Sequence, residues 1–155
     1  MKKTVKVTAC IFLIISTIMC LASCSKKAEN TDLWENATYR ENNNFGEGKK
    51  TIVVEVEAEE KSVEFTINTD KEILRDALEE HNLISGEKGA YGLYVKVVNG
   101  IKADYDEDGY YWGLNINGES SMTGVDGVKI SDGEHYELVR TKGEYVRSLK
   151  GERKC

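Results

Sequence analysis

Proline is absent from all 155 residues. Every turn must therefore come from residues that bend the chain by other means, namely Gly, Asn and Asp. Histidine occurs only at His81 and His135, and cysteine only four times. No CxxC pair or Cys/His cluster has the spacing of a zinc site. No GxSxG, HExxH, Walker loop or paired catalytic carboxylate pattern is present, so catalysis is not expected. Positive charge is also scarce: 21 Lys and Arg stand against 27 Asp and Glu, a net charge of −6. A nucleic-acid partner calls for a basic face, and that class is set aside.

The one long apolar run lies at the start. Lys2, Lys3 and Lys6 precede an apolar stretch from Val7 to Ala22, which ends in Leu21-Ala22-Ser23-Cys24. A positive n-region, an apolar h-region and small residues before the cut are the parts of an export signal. LASC matches the bacterial lipobox, in which cleavage precedes a cysteine whose thiol takes up a diacylglycerol. The expectation is a signal peptide over 1–23, lipidation at Cys24 and an outward-facing, lipid-anchored protein at a bacterial cell membrane. Cys10 and Cys20 leave with the signal, and Cys155 is left alone at the C-terminus, so no internal disulfide is expected. The mature chain would keep 132 residues and a net charge of −9, which favours solubility and leaves anchoring to the lipid.

Residues 24–50 are polar and rich in Asn and Glu, without a period, and read as a flexible tether. Trp34, Tyr39 and Phe45 are unusual there and are expected to dock on the domain. Alternation begins at Thr51. Ile52, Val54 and Val56 share one face, as do Val63, Phe65 and Ile67, so 51–58 and 62–68 predict a β-hairpin across the short polar link Glu59-Glu60-Lys61. Thr69 and Glu72 have capping-box spacing, and Ile73, Leu74, Ala77 and Leu78 recur at helical spacing. A helix is predicted from Asp70 to about Asn82. YGLYVKVV, YYWGLNI and HYELVR read as further strands, with tight turns at Asn99-Gly100 and Asn117-Gly118. The order predicts α+β: a small ββαβ-type, β-grasp-like domain over 51–141, with one helix on a mixed or antiparallel sheet. Residues 142–155 are read as a frayed tail.

Two clusters could carry chemistry. Tyr110, Tyr111 and Trp112 are consecutive on a strand, so Tyr111 points opposite to the other two. One face must be core, and the other could offer an aromatic platform to a flat ligand. Asp104, Asp106 and Asp108 with Gly109 open like an EF-hand loop, but position twelve is Asn115 instead of Glu, and strands flank it. An EF-hand is excluded, while a looser Ca²⁺ site and a plain acidic turn both stay open. His81 at a helix end and His135 entering a strand have no motif partner.

The stretch from Phe65 to Val139 resembles the DUF4430 family, related to the C-terminal β-domain of transcobalamin and intrinsic factor. The pieces that carry the resemblance are Tyr111-Trp112, the Asn117-Gly118 hairpin, Gly124-Val125 and Ile130-Ser131-Asp132-Gly133. In the vertebrate carriers this domain and a helical domain hold cobalamin between them, and the β-domain offers the Tyr-Trp strand and the hairpin after it. The resemblance thus implies Tyr111, Trp112, Leu114, Met122, Thr123 and Gly124 as ligand-binding residues for a corrinoid, with no cofactor required. A docking module for a surface protein partner and a calcium-stabilised structural spacer are the alternatives.

Overall fold

In the computed structural model, which describes residues 32–144, the chain opens with a 3-10 turn, Leu33–Asn36. Strands β1 (Asn43–Phe45), β2 (Lys50–Ala58) and β3 (Lys61–Thr69) follow, then helix α1 (Leu74–Glu80). After the helix come β4 (Ile84–Gly89), β5 (Gly92–Val98), β6 (Ile101–Lys102), β7 (Tyr110–Ile116), β8 (Glu119–Ser120) and β9 (His135–Lys142). The expected signal peptide, Cys24, Cys155 and most of the expected C-terminal tail lie outside the described residues.

The strands form two sheets. A six-stranded mixed sheet has the order β1-β3-β2-β9-β7-β8, and a three-stranded antiparallel sheet the order β4-β5-β6. β2 lies antiparallel to β3 and parallel to β9, and β1 lies parallel to β3. The described chain is thus mostly β with one helix, a small α+β arrangement, but two sheets replace the single sheet of the β-grasp-like expectation. The second sheet exists because β4 pairs with β5, and ISGEKG carries too little alternation to announce a strand. Gly86 permits that pairing: a Cβ there would stand 1.9 Å from the Tyr94 carbonyl oxygen.

Alternation decides which face is core. Ile52, Val54 and Val56 of β2, Phe65 and Ile67 of β3 and Tyr136 of β9 are fully buried, with Leu138 nearly so. Leu74, Ala77 and Leu78 of α1 are buried with them in one cluster. Each such Val, Leu or Ile contributes roughly 1.5–3 kcal/mol through burial. The hairpin turn Glu59-Glu60 and both Asn-Gly turns form where expected, with Asn99 at φ 48° and Asn117 at φ 50°.

Two boundaries move. The helix begins at Leu74, four residues after the expected start, and no side chain caps it. Thr69 Oγ1 instead accepts from the Lys71 amide at 3.0 Å. The first helical amides find their acceptors on a distant loop: Leu74 N donates to Val128 O at 3.0 Å and Arg75 N to Val125 O at 3.2 Å. These bonds satisfy donors that a helix start leaves open.

The second correction concerns the tether. Residues 32–49 form a strap built into the domain. Trp34 is 6% exposed and its Nε1 donates to Ala58 O at 3.1 Å. The buried Asn99 side chain grips Tyr39 from both sides, accepting from its amide at 2.9 Å and donating to its carbonyl at 2.7 Å. β1 adds backbone pairing to β3. Tyr39, Phe45 and Phe65 form a ring cluster with centroids 5.0–5.7 Å apart. The polar composition of the strap hides these three anchors, whose docking is as expected.

Candidate functional site

Strand β7 lies between β9 and β8, and its side chains alternate between two environments. Leu114 is core, and Trp112 packs half-buried against it. Tyr111 points the other way and is 39% exposed. Beside Tyr111, Gly113 presents no side chain, and Asn115 Nδ2 donates to Glu137 Oε2 at 2.8 Å. The aromatic platform is therefore Tyr111, while Trp112 belongs mainly to the packing beneath it. Trp112 Nε1 is buried without a hydrogen-bond partner among the described residues, and such a donor bears a desolvation cost.

A loop follows β8 and forms the other wall. Ser121 N donates to Leu114 O at 2.8 Å, which ties the loop to the strand. Ser121 Oγ donates to Thr123 O at 2.9 Å, and Thr123 N reaches Ser121 Oγ at 3.2 Å. This tight turn leaves Met122 98% exposed. Strand and loop enclose a cleft of about 430 Å³. Tyr111, Trp112, Leu114, Met122, Thr123 and Gly124 all line it, with Asn115, Val139 and Thr141 adding to its walls. Sequence reasoning missed these last three: Val139 and Thr141 enter through the β7–β9 register, in which Tyr111 opposes Thr141 and Gly113 opposes Val139, and Asn115 shares the outward face of β7 with Tyr111.

One carboxylate holds the loop in place. Asp126 Oδ1 accepts from Arg75 Nη1 at 2.7 Å, and Oδ2 accepts from Leu93 N at 2.6 Å. The Arg75 guanidinium first, and the Leu93 amide second, hold its pKa below the usual carboxylate range. A depressed folded-state pKa contributes stability above the unfolded value, near 4, and the contribution is lost as pH falls through the folded value. Amide exchange at Leu93, corrected for its intrinsic pH dependence, is expected to accelerate below about pH 4. Asp126→Asn should show the fast rate already at neutral pH.

The acidic turn is self-contained. Asp104 is 4% exposed, and its Oδ2 meets Lys96 Nζ at 2.9 Å. That ion pair leads the causes that lower the Asp104 pKa. Asp104 Oδ1 accepts from the Asp106 amide at 3.2 Å. Asp108 Oδ1 accepts from the amides of Asp104 and Tyr110 at 3.1 and 2.9 Å. Its Oδ2 takes Arg140 Nη2 at 2.9 Å, and the same guanidinium lies over the Tyr110 ring at 3.8 Å. Asp106 is exposed. Among the described residues, no group of three or more His, Cys, Asp or Glu is placed to hold a metal ion.

The two histidines stand apart from the cleft lining. His81 caps the C-terminal end of α1 and stacks on Phe45, with centroids 5.0 Å apart. His135 Nε2 lies 3.6 Å from Glu55 and its Nδ1 3.8 Å from Glu137. A second groove, of about 400 Å³, runs between Asp32, Trp34, Arg40 and Lys61 on the strap. Among the described residues no helix is long and apolar enough to cross a membrane.

A family model described as a domain of unknown function, DUF4430, matches residues 72–138. The solved structure of a candidate metal-binding protein from Ruminococcus gnavus is 34% identical, with a TM-score of 0.58. That match covers 61% of this chain and 99% of the other. Haptocorrin in complex with Cbi is 21% identical with a TM-score of 0.48, and the match covers 64% of this chain and 27% of haptocorrin. No curated protein matches the chain.

Proposed function

The chain belongs to the DUF4430 family, and on that footing we propose that it is a non-catalytic ligand-binding domain that takes a corrinoid into the β7–loop cleft. The observation that carries this reading is the convergence of six residues, singled out by resemblance, on one cleft of about 430 Å³. Tyr111 offers an exposed ring for stacking against a flat ligand. Met122 offers a polarizable, adaptable apolar contact at the loop tip. The volume lies in the lower part of the range for small-molecule sites, which suits capture of one face of a large ring. In the same reading, lipidation at Cys24 displays the domain at the outer face of the cell membrane, where it concentrates ligand.

The test is a calorimetric titration of cobinamide and cobalamin into the protein. Binding in the micromolar range is expected, equivalent to about 8 kcal/mol. Tyr111→Ala should weaken it by at least about tenfold, since an aromatic contact of this kind is worth about 0.5–1.5 kcal/mol beyond the apolar area it buries. Absence of heat at millimolar ligand would overturn the corrinoid reading and favour a surface protein partner.

The description of the Ruminococcus gnavus protein raises a metal as a second ligand. The acidic turn does not fit one. Asp104 and Asp108 already meet Lys96 and Arg140, and three backbone amides occupy their remaining oxygens. A cation at this turn would have to displace two side-chain cations, which argues against calcium there.

A further inference from the structure

The outward face of the six-stranded sheet carries a row of like charges. Glu64, Glu55 and Glu137 lie in register on β3, β2 and β9. Glu57 stands two residues from Glu55, on the same face. Neighbouring strands are about 4.8 Å apart, so the three in-register glutamates span about 10 Å. Like charges directly opposite one another destabilise a strand pair. His135 is the only basic side chain among the described residues within ion-pair distance of the row. The acidic turn differs, because Lys96, Lys102 and Arg140 each pair with one of its acids.

Charge is also divided along the chain. Residues 32–144 hold 25 Asp and Glu against 12 Lys and Arg, a net −13. Residues 145–155 hold Arg147, Lys150, Arg153 and Lys154 against Glu152 alone, a net +3. This segment follows two residues after β9, the strand that carries Glu137. Lys142, where β9 ends, is about 17 Å along the strand from Glu137. Eleven extended residues reach about 36–40 Å, enough to turn back along the face and cross the row.

We propose that segment 145–155 docks on the outward face of the sheet, with its Arg and Lys side chains against Glu55, Glu57, Glu64 and Glu137. The half-buried Val53 and Val139 on that face receive the apolar side chains of Val146 and Leu149. Tethering supplies a high effective concentration, so weak individual ion pairs suffice. The docking face adjoins the cleft and shares Val139 with it, but the docking rests on the charge row alone and is tested without ligand, so its outcome does not depend on whether the cleft takes a corrinoid.

The test is zero-length carbodiimide cross-linking of the full chain, with isotopically light and heavy copies mixed and the products mapped by mass spectrometry. Expected are links within one chain from Lys150 or Lys154 to Glu55, Glu57, Glu64 or Glu137. Their yield should fall by at least about fivefold in 1 M salt, where the screening length shrinks to about 3 Å. Links mainly to Asp106 or Glu144, or mainly between light and heavy chains, would overturn the proposal. So would missing links together with tail-dependent sedimentation on phosphatidylglycerol vesicles, which would give the tail to a bilayer.

Discussion

Phe65→Ala is expected to lower the free energy of unfolding by about 3–5 kcal/mol, the range for removing a fully buried aromatic ring. Phe65 is 0% exposed at the centre of β3. Its ring meets Tyr39 at 5.7 Å and Phe45 at 5.5 Å, so it joins the strap to the main sheet. Truncation would leave both rings facing a void that the rigid strands cannot close. Urea denaturation measures the effect as a lower midpoint with an unchanged slope. A loss below about 1 kcal/mol would mean that the ring is not the core element described, since surface substitutions cost that little.

Trp34→Ala is expected to cost about 3 kcal/mol or more, near the lower end for large-to-small replacement of a buried aromatic. The indole is the first anchor of the strap, and its Nε1 bond to Ala58 O links the 3-10 turn to the end of β2. Trp34→Phe should recover most of the packing and lose about 1 kcal/mol for the missing bond, more if Ala58 O is left unpaired. Because the strap is peripheral, the loss should also appear locally, as faster amide exchange at Thr38 and Tyr39. Both amides are held by Asn99, through its carbonyl and its side chain. Exchange at these amides unchanged from the wild type would contradict the strap as a single latched unit.

Legibility in the sequence followed the range of the interactions. The β2–β3 hairpin was readable because Ile52, Val54 and Val56 alternate with polar residues over one short segment. The Asn99-Gly100 and Asn117-Gly118 turns were readable because positive φ demands those residue types locally. The helix start was not, because the acceptors of its first amides lie on a loop about 50 residues downstream. β4 was hidden for the same reason: pairing with β5 makes it a strand. The polar strap looked like a tether, since Trp34 finds its acceptor 24 residues away.

The candidate site divides in the same way. Strand alternation placed Tyr111 opposite Trp112, but only packing shows that Trp112 turns inward and Tyr111 outward. Resemblance supplied the six residues, and folding supplies the cleft that joins them with Val139 and Thr141. The acidic turn was ambiguous because Lys96 and Arg140, which neutralise it, come from β5 and β9.

The most direct test of the ligand site is amide hydrogen exchange on the protein with and without cobinamide. Slower exchange is expected, confined to Tyr111–Asn115 and to Ser120–Gly124. Unchanged exchange in both segments at saturating ligand, or slowing confined to the Trp34 groove, would contradict the ligand site.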